Sequence, residues 1–392
     1  MANPKSHIFL LFTTFLLHFS TLSLAQTLFV FGDGLYDAGN KQFLSSNRVD
    51  ASFPPYGVTV GEATGRWSDG RIIPDYLANF MGIPQIPPIL QSTADFSHGA
   101  NFAVADSTVL GSPPETMTLT QQVRKFLESK NKWTNQTVSE AIYLMYIGSD
   151  DYLNYVKNNL NPSDEQKQGF VNQVIATIEA EIKVVYGSGG RKFAFQNLAP
   201  LGCLPAVKQA NGNVQECVIL PSEMAALHNK KLLELLVGLS RQLNGFQYSF
   251  YDFFSSIQRR VIKSKTYTFQ TGIAACCGTG SVNGTGCASN SVCVKPADYL
   301  FFDGKHLTQE GNLQVSHLIW GADTEVIGPS NLRELLFLPK DIAVTLADIN
   351  EAIAALRLKQ NKIESLYDTK KMESEMEYQW FYQVNQAISF LI

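Results

Sequence analysis

Four short apolar runs separated by longer amphipathic stretches constrain this chain more than any other feature of it. Thr27 to Phe31 stops at Gly32-Asp33-Gly34, and Tyr143 to Ile147 stops in the same way at Gly148-Ser149-Asp150. Lys192 to Gln196 and Phe246 to Tyr251 are the other two. Runs this short, closed by turn residues, suit β-strands, whereas the stretches 72–81, 118–129, 166–186 and 222–243 carry helical spacing. Alternating strands and helices predict an α/β fold, a parallel sheet covered on both faces. Chemistry in such folds gathers beyond the carboxyl ends of the strands. The segments of interest are therefore 32–40, 148–152, 197–203 and the residues after Phe302.

Met1 to Ala25 has the marks of a secretory signal: Lys5, a mostly apolar stretch from Ile8 to Leu24, and Ser23-Leu24-Ala25 before Gln26. His18, Ser20, Thr21 and Ser23 make that stretch a poor membrane span. No later segment offers the ~18–20 continuous apolar residues that a spanning helix needs. The expected address is the secretory pathway: the endoplasmic reticulum or bodies derived from it, the vacuole, or the cell exterior. With 31 basic against 35 acidic residues and no Lys/Arg block, the footprint of a nucleic-acid binder is missing.

The cysteines agree with an oxidising compartment. Cys203, Cys217, Cys276, Cys277, Cys287 and Cys293 are even in number and predict three bridges. Adjacent Cys276 and Cys277 suit one another poorly. The least strained arrangement joins Cys203 to Cys217 and sends Cys276 and Cys277 to Cys287 and Cys293, in either order. A zinc site is the rival, but no histidine stands among the last four cysteines. Asn135-Gln136-Thr137 and Asn283-Gly284-Thr285 are N-glycosylation acceptors.

The loops carry a resemblance. Phe31-Gly32-Asp33-Gly34-Leu35-Tyr36-Asp37-Ala38-Gly39-Asn40 is similar to the first block of the plant GDSL esterase/lipases, members of the SGNH hydrolase superfamily. The likeness continues through Pro55-Tyr56-Gly57, the segment 65–71 (GRWSDGR), Gly99-Ala100-Asn101-Phe102-Ala103 and Tyr146-Ile147-Gly148-Ser149-Asp150-Asp151-Tyr152. It runs on through Leu198-Ala199-Pro200-Leu201-Gly202-Cys203, Cys276-Cys277-Gly278 and Phe302-Asp303-Gly304-Lys305-His306. Ala103-Val104-Ala105-Asp106 and the Ser149-Asp150-Asp151 version most resemble the myrosinase-associated and epithiospecifier-modifier branch. The resemblance implies a flavodoxin-like three-layer α/β/α sandwich and, ordinarily, ester hydrolysis. The branch implies soluble secretory-pathway partners such as myrosinase-like glucosidases.

Where the family has its Gly-Asp-Ser-Leu serine, this chain has Gly34, which carries no side chain. On residue grounds Gly34 reads as an ordinary turn glycine after a strand. Without a nucleophile no acyl-enzyme forms, and loss of that serine alone removes roughly a millionfold of turnover in a comparable triad. Asp106 falls where the family places an oxyanion-hole glycine, and Asp150 where it places an asparagine donor. An ionised carboxylate donates no hydrogen bond. At about 4 Å it repels an oxyanion by about 4 kcal/mol at an effective dielectric near 20. Asp303 and His306 keep the family's Asp-x-x-His spacing, as an orienting carboxylate and general base or as a vestige. Ser68, Ser107 and Ser149 are candidate substitute nucleophiles that read better as turn or cap serines. Asp33, Asp106, Asp150, Asp151, Asp303 and His306 together offer a Ca²⁺ or Mg²⁺ pocket, but no ligand-loop spacing supports one. The sequence thus predicts no competent catalytic residue, no metal and no cofactor. His98, His228 and His317 read as structural.

The chain continues past the helix that resembles the family's last one. Ile342, Leu346, Ile349, Ile353, Leu356, Gln360, Ile363 and Tyr367 are spaced alternately by four and three. That is either a coiled-coil seam for self-association or one amphipathic helix folded onto the domain. The expected organisation is a signal over 1–25, one hydrolase-like domain over 26–338 and a helical extension over 339–392.

Overall fold

The computed structural model describes residues 26–47, 49–111, 114–212 and 215–338. The signal segment 1–25 and the extension 339–392, with its seam over 342–367, lie outside the described residues. Six strands form the main sheet: β1 (Leu28–Gly32), β2 (Gly99–Asn101), β3 (Ile142–Tyr146), β4 (Lys192–Gln196), β5 (Gln247–Tyr251) and β8 (Ile327–Pro329). Their order is β2-β1-β3-β4-β5-β8. Leu28 stands in register with Gly99 on one side and with Ile142 on the other. Two further strands, β6 (Thr271–Ala275) and β7 (Tyr299–Phe301), pair in a small second sheet.

The four predicted runs are all strands, displaced by at most one residue at either end. The main sheet is parallel, as expected, except at one edge. β8 runs antiparallel to β5 at the edge, where Pro329 cannot supply a donor to a further neighbour. β2, β7 and β8 have three residues each, too short to show a period in sequence.

The helices that matter here are α1 (Ile73–Phe80), α2 (Leu119–Ser129), α3 (Ser149–Asn158), α4 (Asp164–Gly187), α5 (Ile219–Gln242), α6 (Phe253–Ile262), α7 (Gln309–Gly321) and α8 (Leu332–Phe337). α2, α4, α5 and α3 pack in succession, and α1 and α8 pack on α7, giving the two helical layers of an α/β sandwich. α4 begins two residues before its predicted start because Ser163 and Gln166 form a capping box. α5 begins three residues early; Pro221 sits in its first turn, where no intrahelical N–H is needed. The core is aromatic: the Phe29 ring lies 4.7–6.5 Å from those of Phe102, Phe126, Trp133 and Tyr143. Ring packing of this kind supplies much of the buried apolar area that holds β1 in place.

The bridges are Cys203–Cys217, Cys276–Cys293 and Cys277–Cys287, which settles the order left open above. Cys276 and Cys277 share a buried cluster with Val49, Ala51, Tyr56 and Phe302, beside the loop that carries Asp303 and His306. Asn135 is exposed at the start of a short helix, whereas the half-buried Asn283 donates its amide to the Ala275 carbonyl at 2.9 Å.

Candidate active site

The first loop leaves β1 through Gly32, where a Cβ would collide with the Tyr146 carbonyl oxygen of the neighbouring strand. Gln122 clamps that glycine from both sides, accepting its N–H at 2.9 Å and donating to its carbonyl at 2.8 Å. Asp33 is buried; its carboxylate accepts the Leu35 N–H at 3.2 Å and the Ser149 hydroxyl. Burial first, and then the charge of Asp150, push its pKa up to about 7.

Sequence reading did not single out the lattice that holds this loop. Asp37, fully buried, accepts the N–H groups of Gly39, Asn40 and Ala105 at 2.6–2.9 Å. Asn40 donates to the carbonyls of Asn101 and Ala103, and Asn101 donates to that of Tyr36. The Gly-Asn and Gly-Ala-Asn blocks therefore serve as main-chain supports, a role visible only once β1 and β2 are neighbours.

The dyad is geometrically intact. His306 Nδ1 lies 2.9 and 2.8 Å from the two carboxylate oxygens of Asp303. Asp303 also accepts the Tyr56 hydroxyl at 2.9 Å and the N–H groups of Lys305 and His306 at 2.8 Å. Burial opposes both charges, but the mutual attraction outweighs it. Asp303 is held below the usual carboxylate range and His306 above the usual imidazole range. A proton on Nδ1 directed at Asp303 leaves Nε2 facing Gly34.

Gly34 is more than a turn residue. A Cβ built on it would stand 2.5 Å from His306 Nε2 and 3.5 Å from the Ala105 Cβ. The imidazole has taken the space from which a nucleophile's side chain would project. That packing, rather than any demand of the backbone, is what the glycine satisfies.

Asp106 adopts φ 63°, the left-handed conformation that favours glycine. Asp150 lies in the first turn of α3. Neither carboxylate stands as the uncompensated charge expected from sequence. Lys305 Nζ lies 2.8 Å from Asp150 Oδ1 and 3.9 Å from Asp106 Oδ1, and Lys41 Nζ lies 3.1 Å from Asp106 Oδ2. The repulsion reckoned above is therefore reduced; the Asp150 carboxylate donates no hydrogen bond, whereas Asp106 keeps its backbone N–H.

Six groups expected to converge do so only in part. Asp33, Asp150 and His306 line one cleft with Gly34, Ser149 and Lys305, closed on its other side by Leu153, Leu201, Phe253 and Phe301. Asp151 turns away to accept the Val109 and Leu110 N–H groups at 2.7 and 2.8 Å, and burial pushes it up to about 7. Asp303 stands behind His306, and Asp106 reaches the cleft through Lys305. Among the described residues no three His, Cys, Asp or Glu side chains gather as a metal-holding group. Positive charge among these carboxylates comes from the Lys305 ammonium, with Lys41 at Asp106.

Ser68 donates to the Leu307 carbonyl at 3.0 Å and Ser107 to that of Met117 at 2.7 Å; neither lines the cleft. Ser149 does line it, with its hydroxyl given to Asp33. The other described histidines make packing or hydrogen-bond contacts. His98 contacts the Gln26 carbonyl, buried His228 pairs with the Tyr152 hydroxyl at 2.9 Å, and His317 packs on Phe80. No described helix is long and apolar enough to cross a membrane.

Comparison with known proteins matches residues 28–319 to a family described as GDSL-like Lipase/Acylhydrolase. An Arabidopsis thaliana protein named inactive GDSL esterase/lipase-like protein 25 is 79% identical over 392 residues, covering 100% of this chain and 94% of its own length. That likeness includes the extension 339–392. Inactive GDSL esterase/lipase-like protein 23 of the same plant is 40% identical over 348 residues, 86% of this chain and 90% of the relative. A third Arabidopsis relative, GDSL esterase/lipase ESM1, is 40% identical over 324 residues, 80% of this chain and 83% of its own.

Proposed function

This chain belongs to the GDSL-like lipase/acylhydrolase family, and from that premise we propose that it is a member without ester-hydrolase activity, acting in the secretory or endomembrane route by binding a protein or ligand. The observation that carries this reading is Gly34: the nucleophile is missing and His306 Nε2 fills its place. A dyad without a nucleophile can orient a proton but cannot form an acyl-enzyme. Asp150 puts a carboxylate where the family has an amide donor, and Asp106 adds a second carboxylate beside its own backbone N–H; both are engaged with Lys305, and Asp106 with Lys41 as well. Two relatives whose printed names call them inactive support the reading.

What remains of the site is a rigid scaffold, which suits a binding role in organisation of the endoplasmic reticulum or in protein trafficking. Three bridges favour the oxidising route, and Asn135 is the better placed glycan acceptor. Soluble glycoproteins, myrosinase-like glucosidases among them, are the partners we assign, with the segment 342–367 available for self-association. A second reading rests on the intact dyad, namely hydrolysis by water that His306 activates or through a substitute nucleophile.

Short-chain chromogenic esters separate the two readings. The mature protein is expected to turn them over no faster than its His306→Ala variant. Turnover that disappears in His306→Ala would overturn the proposal.

A further inference from the structure

We infer that Asp106, Asp150 and Lys305 form an ion-pair clasp that ties three loops together across the cleft, so that the two acidic positions act as one closing device. Asp106 follows β2, Asp150 opens α3, and Lys305 lies between β7 and α7, so the ties join segments that meet only in the fold. Lys41, just after the first loop, extends the chain of charges by holding the second oxygen of Asp106.

Three observations carry this. The Asp150 side chain is 13% exposed and faces Lys305 Nζ at 2.8 Å, whereas the Lys305 side chain is 40% exposed, so the tie is sheltered at its acidic end and open to solvent at the ammonium. The Lys305 main chain is fixed by its own N–H, which donates to Asp303 at 2.8 Å, and this presents the ammonium to Asp150. Asp106 keeps a backbone conformation in which glycine sits without strain, and its carboxylate is tethered at both oxygens. A side chain retained at strained backbone points to a local role for that side chain. Burial opposes the Lys305 charge, but Asp150 and then Asp106 outweigh it, with Asp33 adding to the same sign. The groups facing the ammonium are thus Asp150, Asp106, Asp33 and His306.

Asp106 is half exposed, and exposed pairs add little to global stability. The clasp acts instead on local opening, which hydrogen exchange reads directly. In the full chain, Lys305→Met and Asp150→Asn are each expected to speed amide exchange about tenfold in 104–110 and 148–153, a change of about 1.4 kcal/mol in opening. β3 and β4 stay unchanged. The double variant gives no further increase over Lys305→Met, since both changes break the Lys305–Asp150 tie, and Lys305→Arg restores protection. Unchanged loop exchange in Lys305→Met, or effects that multiply in the double variant, would overturn the clasp. Should Lys305→Met fail to fold, the unaltered protein in about 0.5 M salt gives the same comparison by screening. Faster exchange confined to those two loops supports the clasp, and none overturns it. No readout here involves ester turnover, so this inference and the proposed lack of hydrolysis fail separately.

Discussion

Gly34→Ser, introduced alone, leaves the protein without measurable ester hydrolysis. The serine Cβ would meet His306 Nε2 at 2.5 Å, so the ring must give way, yet its Nδ1 is held by both oxygens of Asp303 and its face by Trp67. Even with the ring displaced, the oxyanion would meet a carboxylate at Asp150 in place of an amide donor, and a second carboxylate at Asp106 beside its retained backbone N–H. The missing donor is worth roughly a hundred- to a thousandfold. A serine without it therefore remains on the order of a thousandfold below an active relative. Adding Asp106→Gly and Asp150→Asn removes both carboxylates, supplies an amide donor and returns glycine to a left-handed position. The triple variant is expected to exceed Gly34→Ser by about a hundredfold or more in kcat/KM on a short-chain ester. Full activity in the single variant would show that the oxyanion positions are misassigned.

Acidification from pH 7.5 to 6 stabilises the fold, the second large effect. Burial pushes Asp33 and Asp151 up to about 7, with Asp150 adding to each, and Asp37 up to about 6. The unfolded chain releases these protons near pH 4. In between, the native state binds more protons than the unfolded state, so stability is higher on the acid side and falls as pH rises through 6 to 7. His306, raised by Asp303 against the effect of burial, works in the same direction. His228 opposes it, because burial lowers its pKa to about 3 and stability is lost as pH falls through 6.5. Two acids near 7 outweigh one histidine in this window. The net gain at pH 6 is about 2 kcal/mol, or a Tm higher by several degrees. Asp33→Asn flattens the profile. A midpoint that stays constant or falls on acidification would contradict the assignment of buried, proton-holding aspartates.

The sequence made the fold legible where the elements are long. Although α3, α6, α7 and β6 were not singled out, the four five- and six-residue runs and the helices α1, α2, α4 and α5 announce themselves by period and by turn residues. β2, β7 and β8 do not, because three residues carry no period, and β8 gains its direction from tertiary pairing alone. At the site, Gly34, Asp303 and His306 could be read from the resemblance to the family. Lys305 could not, since nothing local marks a lysine that pairs across a cleft with Asp150. Asp37, a buried acceptor of main-chain N–H groups, was legible only as a loop residue, and Asp151, another such acceptor, only as a candidate cation ligand. Six acidic and imidazole groups counted in sequence also suggested more convergence than the fold permits, because direction separates Asp151 and Asp303 from the cleft. The crowding of Gly34 by His306 is likewise a property of packing, and it turns a missing nucleophile into an occupied position.

The central claim, that no side chain here performs nucleophilic attack on an ester, is tested most directly by intact-mass analysis after treatment with a fluorophosphonate. An active GDSL esterase/lipase treated in parallel serves as the positive control. The account predicts no adduct on the mature protein while the control is labelled stoichiometrically. A stoichiometric adduct on this chain that vanishes in His306→Ala would contradict it.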